Sequence, residues 1–393
     1  MNAQPGAKRA LFLSTTAFAV AFAVWGLLSG LAPIFKQQYG LTATQVSLMV
    51  AIPVLLGSIG RLPMGLLADR SGAKPILVGL LLFITLPTLA LAISHGYQSL
   101  LLWGFFLGAG GTSFAVGIAY TSPWFSKEQQ GLALGVFGAG NIGQSVAVFG
   151  APVLAARFGL AAPFLLFGGL AFLWGIVLLI SAQKPPEVRP RVSLSEALRP
   201  LRTEPLTWLL SLFYFVTFGG FVALGIYMPS LLKEVFHLSP ADAGARTAGF
   251  VVVATAARPI GGWLSDRLGG ARLLTWVFLA LAALAFGLAS DSMSLFTPAA
   301  LGIAFFLGLG NGAVFKLVPQ FFPDQVGTVT GLVGAAGGLG GFFPPLVLGV
   351  LKDQVGSFTP GFVLLALFAL VCLALDRRVL PSSRLSAGAG VVG

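Results

Sequence analysis

Charge is what this sequence has least of. Only 9% of its 393 residues are charged against 56% hydrophobic, and the mean hydropathy is +0.93, whereas soluble domains carry about a quarter charged residues. That balance excludes an ordinary soluble fold and implies a polytopic membrane protein. Cysteine is nearly absent too: the single Cys372 excludes an intrachain disulfide framework and supplies no metal cluster, which argues against redox chemistry. No nucleophile, metal or cofactor constellation appears, so an enzyme is the least supported class and neither cofactor nor metal is expected.

What the chain has instead is length of apolar sequence. Runs long enough to cross a bilayer, which takes ~20 residues, fall near 10–35, 44–67, 75–94, 98–121, 131–156, 161–181, 206–232, 243–264, 273–290, 294–318, 327–350 and 357–376. Twelve transmembrane helices are predicted. The 52 glycines and 24 prolines are compatible with this, because neighbouring helices re-satisfy the backbone and small residues let helices pack closely. The opening "MNAQPGAKR" precedes an apolar stretch too long for a signal-peptide core, so it reads as the start of an uncleaved first helix.

The net charge of +11 sorts by topology. With both termini cytoplasmic, fifteen of the twenty-three Lys and Arg residues fall on the cytoplasmic side and five outside. This is the positive-inside pattern, and it removes nucleic acid as a partner. The longest polar stretch, 182–205, divides the chain into six-helix halves at 1–181 and 206–393. Within it Ser193 and Glu196 have capping-box spacing, which predicts a short basic helix on the anionic leaflet; a charged linker is the alternative.

The halves repeat. A shift of 197 residues lays "RLPMGLLADRSGAK" over "RPIGGWLSDRLGGAR", matching Arg61 with Arg258, Gly65 with Gly262, Asp69 with Asp266, Arg70 with Arg267 and Gly72 with Gly269. The same shift matches Gly140 with Gly337 and Gly143 with Gly340.

Arg61, Arg258 and Lys316 are the three basic residues left inside apolar segments. Each arginine precedes its motif aspartate by eight residues, which at ~1.5 Å per residue sets both about 12 Å into the core. Charge at that depth costs several kcal/mol unless it meets water or a partner. The twelve acidic residues all map to helix ends or loops, so the sequence offers no carboxylate at that level. A mobile anion, the substrate, is the implied counter-charge; arginines snorkelling or bonded to backbone carbonyls are the alternative. The same scarcity removes the usual proton carriers of symporters. Lys316, in "GNGAVFKLVPQFF", is the remaining candidate for coupling, and near its helix end it equally suits snorkelling.

The glycine-dense "GLALGVFGAGNIGQS" and "GLVGAAGGLGGFFPP" predict close backbone approach at a narrow site. Asn141 offers a neutral donor there. Phe114, Tyr214 and Phe218 lie in central helices, the last two at i and i+4 and so on one face. Aromatic walls with guanidinium forks suit a small planar anion.

The loop motif from Gly65 to Lys74 and its echo from Gly262 to Arg272 resemble the motif between helices two and three of the major facilitator superfamily. That resemblance implies an all-α fold of twelve helices in two six-helix repeats, with Gly65, Asp69, Arg70, Asp266 and Arg267 as a gating latch; turn chemistry with positive-inside anchoring accounts for the same residues. The glycine signatures at 138–145 and 334–345, with "GNGAVFKLVP" and the two arginines, resemble the nitrate/nitrite porter family within it. This implies a bacterial inner-membrane transporter of nitrate or nitrite, a monomer working by alternating access. The anion would be clamped by Arg61 and Arg258, with Asn141, Phe114, Tyr214, Phe218, Gly140 and Gly337 around it. Nitrate/nitrite exchange and proton-coupled uptake both remain open. So do a carrier of another small anion such as formate or oxalate, and a non-transporting sensor on a transporter fold.

Overall fold

The computed structural model describes residues 5–125, 127–185, 194–322 and 326–380, and among them only helices, turns and connecting segments occur. The first six spans are α1 (Ala7–Tyr39); α2 (Ala43–Ile59) running into α3 (Arg61–Ser71); α4 (Ala73–Ile93); α5 (Tyr97–Leu107) continued by α6 (Ser113–Thr121); α7 (Lys127–Gly138) continued by α8 (Ile142–Phe158); and α9 (Ala161–Ser181). A short α10 (Leu194–Thr203) follows. The second six are α11 (Pro205–Phe236), α12 (Pro240–Leu268), α13 (Gly270–Leu288), α14 (Met293–Phe321), α15 (Val326–Val355) and α16 (Thr359–Val379).

Eleven of these spans are long and apolar enough to cross a membrane, so this is a multi-pass membrane protein. The eighth in order, α12, has the length at 29 residues but carries Asp242, Arg246, Arg258, Asp266 and Arg267, and its composition falls short of the apolarity of the others. The twelve-helix count holds by helix number, while the intramembrane arginine hides one span from hydropathy. Large apolar side chains such as Leu86, Phe172, Ile180 and Leu367 are exposed, as a hydrocarbon solvent requires. The spans at the chain's two centres, α1 and α11, are the most buried.

Local chemistry sets the helix ends. Thr42 accepts the Gln45 backbone N–H at 3.2 Å while Gln45 Oε1 accepts that of Thr42 at 2.9 Å, a capping box that starts α2. Gly72 (φ 89°) and Gly269 (φ 85°), the repeat partners in the loop motif, separate α3 from α4 and α12 from α13. A β-carbon is strained at such φ values, so the motif needs glycine at these positions whatever else it does. The polar connection carries the expected short helix at α10, with Glu196, Arg199 and Arg202 exposed; Ser193, its proposed cap, lies outside the described residues.

By packing, the chain forms two compact units. One takes residues up to 197 together with Gly225–Val252; the other takes Leu198–Leu224 and everything from Val253. The repeat boundary at 182–205 is a division of sequence, whereas packing assigns the connected ends of α11 and α12 to the first unit. Three contacts there explain why: Ser29 Oγ donates to the Ile226 carbonyl at 2.6 Å, Lys233 Nζ donates to the Pro33 carbonyl at 3.0 Å, and Lys36 ion-pairs with Glu234.

The two repeats differ in continuity. Three spans of the first repeat are interrupted: α2 gives way to α3 at Gly60, a 3₁₀ turn at Gly108–Thr112 separates α5 from α6, and another at Ala139–Asn141 separates α7 from α8. Their counterparts α12, α14 and α15 are continuous. At the second of these turns, in "GAGG", Gly108 lies against the Pro53 carbonyl and Gly111 against the Gly57 α-carbon, an approach that leaves no room for side chains. In the second repeat Phe305 and Leu307 stand where Gly108 and Gly110 stand in the first.

Candidate functional site

Arg61 opens α3 directly after Gly60, whose backbone stays in the right-handed helical region. Arg61 is only 6% exposed. Its Nε donates to the Gly111 carbonyl at 3.4 Å, a long bond, and its guanidinium lies 5.7 Å from the Phe114 ring centroid. Because Gly111 belongs to the 3₁₀ turn and Phe114 to the helix that follows, both partners depend on the interruption between α5 and α6. Phe114 in turn packs on Phe18 (5.5 Å), which stacks on Phe137 at 4.9 Å. Gly140 faces that Phe18 ring so closely that any β-carbon would collide with it. Arg61, Phe114 and Gly140 are thus joined through Phe18, a residue the sequence reading did not single out.

Asn141 is 1% exposed beside this cluster and uses one of its two amide N–H donors on the Gly138 carbonyl, 2.8 Å away. A second donor remains on the same nitrogen.

The second unit holds its arginine differently. Arg258 Nη2 donates to the Tyr214 hydroxyl at 3.0 Å, and the guanidinium sits 5.5 Å from the Phe218 ring centroid. Tyr214 and Phe218 stack with ring planes 3° apart and centroids at 5.0 Å, as their i, i+4 spacing predicts. Phe315 of α14 closes on Tyr214 at 4.6 Å. Gly337 makes room for this ring: a β-carbon there would overlap Tyr214. Arg258, Tyr214, Phe218 and Gly337 are therefore one cluster. Cation–π contact stabilises each arginine by roughly 0.5–2 kcal/mol where water is excluded, so the aromatic rings help to orient both.

In the second unit Arg258 Nη1 is buried with no hydrogen-bond partner, and among the described residues no carboxylate ion-pairs with this arginine. One acidic residue departs from the sequence expectation in burial rather than position. Asp376, in the last turn of α16, is 1% exposed and accepts from Thr275 Oγ1 at 2.5 Å.

Lys316 meets the loop motif. Its Nζ pairs with Asp266 at 2.5 Å, linking α14 to α12, with both side chains about half exposed. Exposure of that degree leaves little net stabilisation, so the pair reads as a positional contact between two helices. Arg267 lies over the Trp263 ring at 4.1 Å, Arg70 is exposed, and a β-carbon at Gly65 or Gly262 would touch nothing within 4 Å. The Asp69 side chain, the other acidic member of the expected latch, lies outside the described residues. Sequence reasoning also missed Gly111, Phe315 and Asn311. The 197-residue shift lays Asn311 on Phe114, a signal that was available.

The sequence profile of the Major Facilitator Superfamily matches residues 13–345 and, again, 214–390. The chain belongs to the major facilitator superfamily. Curated relatives at full length agree with this assignment. The chain is 38% identical to the nitrite extrusion protein of Bacillus subtilis over 93% of its length and 92% of the relative's. It is 36% identical to the probable nitrate transporter NarT of Staphylococcus epidermidis, covering 95% and 96%. It is 35% identical to the probable nitrate/nitrite antiporter NarK1 of Thermus thermophilus, covering 94% and 90%. Among solved structures, an inward-facing, unoccupied bacterial homolog of the human lysosomal transporter Spinster shares the fold, with a TM-score of 0.74 at 17% identity over 98% of this chain and 99% of that one. As a major facilitator protein the chain is a transporter and not an enzyme, and Arg61 and Arg258 stand at matching positions of its 197-residue sequence repeat.

Proposed function

We propose that the protein is a bacterial inner-membrane carrier of nitrate and nitrite, a monomer with both termini cytoplasmic, that works by alternating access with Arg61 and Arg258 as its principal anion ligands. The observation that carries this reading is the state of Arg258. Its guanidinium is steered by Tyr214 and Phe218, one of its amino groups is buried without a partner, and no described carboxylate pairs with it. Desolvating an arginine in this way is costly unless an anion completes it, and a planar fork fits a planar oxyanion bidentately. The names of the relatives support nitrate and nitrite as that anion. In this reading Arg258, whose Nη1 has no partner when no anion is bound, opposes reorientation of the empty carrier. The loop motif, with the Lys316–Asp266 pair, serves as gating hardware.

Obligatory exchange follows most directly from that electrostatic restraint, and the antiporter name of the Thermus relative favours it. In proteoliposomes loaded with nitrite, external labelled nitrate is expected to accumulate rapidly, and in liposomes lacking internal anion only slowly, with or without a pH gradient. Robust uptake driven by the pH gradient alone sinks the exchange mechanism in favour of proton coupling. Strong inhibition of nitrate uptake by formate at equal concentration argues for a broader anion site.

Tyr214→Phe tests the steering of Arg258. It removes the acceptor for Nη2 and keeps the ring stack, and a hydrogen bond to a charged group contributes about 1.5–3 kcal/mol. Uptake kcat/KM for nitrate is therefore expected to fall roughly tenfold to a hundredfold, with thermal unfolding nearly unchanged. Wild-type kinetics in this variant would show that the hydroxyl does not orient the guanidinium.

A further inference from the structure

We infer that Asn311 is a further anion-ligating residue, whose carboxamide acts with Arg258 on the same oxyanion; this rests on the nitrate and nitrite reading above. Asn311 lies on α14, is 1% exposed, and has both its amide nitrogen and its amide oxygen buried with no hydrogen-bond partner. Burying a carboxamide unsatisfied costs free energy, and natural proteins keep few such groups. A hydrophobic residue of similar size would be the cheaper occupant of a merely structural position.

The neighbours of Asn311 fix its direction. Residues four apart share one helix face, so Leu307, Asn311 and Phe315 form a row along α14. Leu307 contacts α11 at Gly220, and Phe315 lies on the Tyr214 ring of the same helix. The adjacent row, Gly308 and Gly312, touches α12: a β-carbon at Gly308 would meet the Ala254 carbonyl, and one at Gly312 would meet the carbonyl of Arg258 itself. Asn311 therefore enters the wedge between α11 and α12, which is where Tyr214 and Arg258 meet. The unused Nη1 of Arg258 and the unused amide of Asn311 belong to the same wedge. Together they present N–H donors for a small oxyanion, and the amide adds them without adding charge.

The repeat sharpens this. In the first half the equivalent position is Phe114, whose ring lies under Arg61. At this one position the first half thus carries a ring and the second a carboxamide.

The test is nitrate counterflow with purified full-length protein in proteoliposomes, with thermal unfolding of each variant as the folding control. Asn311→Ala is expected to raise KM for nitrate about tenfold with Vmax within about twofold, as loss of one ligand hydrogen bond implies. Asn311→Ser, which keeps a donor in a smaller volume, is expected to recover part of that loss. Asn311→Asp is expected to abolish uptake, because a fixed carboxylate beside Arg258 takes the place of the anion. An unchanged KM in folded Asn311→Ala overturns the assignment, as does an equal fall of Vmax in the Ala and Ser variants with KM unmoved. Wild-type liposomes that transport neither nitrate nor nitrite overturn the underlying reading as well, so the two failures are told apart by the wild-type control.

Discussion

Arg61→Lys is expected to lose at least about a hundredfold of nitrate uptake while the protein remains folded, and Arg258→Lys is expected to behave the same way. Lysine retains the positive charge, so any role confined to electrostatic attraction or topology survives the change. It loses the planar fork, and with it the bidentate contact that fixes a planar oxyanion. For Arg61 the substitution also removes the Nε–H that bonds the Gly111 carbonyl. For Arg258 it removes the geometry that allows one amino group to reach Tyr214 while another stays available. Two charge-assisted hydrogen bonds at about 1.5 kcal/mol each amount to roughly a hundredfold in rate. Proteoliposome counterflow measures the loss, and thermal unfolding in detergent establishes that the variants are folded. A sensor built on a transporter fold would tolerate these changes, so mild effects on nitrate-dependent behaviour would sink the carrier reading and favour that alternative.

The second large effect is steric. Gly143→Ala and Gly340→Ala are each expected to lower the thermal midpoint by about 2–12 °C, the shift that a cost of roughly 1–3 kcal/mol produces in a unit of some 200 residues. A β-carbon at Gly143 would overlap the Ala19 carbonyl of α1, and one at Gly340 would overlap the Phe215 carbonyl of α11 and approach the α-carbon of Gly219. In both cases the obstacle is backbone, which cannot rotate away as a side chain can. The helices must separate, and in a bilayer close packing is what holds them together. Gly150→Ala, on the same helix as Gly143 but with nothing within 4 Å, is the control and is expected to leave the midpoint unchanged. Equal midpoints for Gly143→Ala and Gly150→Ala would show that α1 and α8 are not held by this contact.

Much of this fold could be read before any coordinates, because bilayer chemistry writes itself plainly into sequence. Apolar length marks the spans, the 197-residue shift marks the halves, and charge scarcity makes an intramembrane arginine conspicuous. The glycine signatures were legible for the same kind of reason: four glycines in two matched pairs, Gly140 with Gly337 and Gly143 with Gly340, imply contact, and each proves to face a ring or a backbone of the central helix of its own half. The i, i+4 spacing of Tyr214 and Phe218 likewise carried their stacking.

Other features depend on what stands opposite, which a single strand of sequence does not record. Asn311 lacks charge and sits between two glycines, so only the burial of its unpartnered carboxamide gives it meaning. Lys316 reads as an isolated intramembrane base until α14 brings it to Asp266, fifty residues earlier in the chain. The approach of Gly108 to the Pro53 carbonyl and of Gly143 to that of Ala19 is likewise set by the neighbouring span, not by helix propensity along its own.

The sequence by itself determined the membrane class and the 197-residue repeat that matches Arg61 with Arg258, since solvent preference and periodicity are properties of residues in order. Tertiary structure alone decided which atoms of those arginines are already used: a hydroxyl for Arg258, a carbonyl for Arg61. Hydrogen bonds of that kind are set by where helices touch, and touching is decided by packing across the bundle.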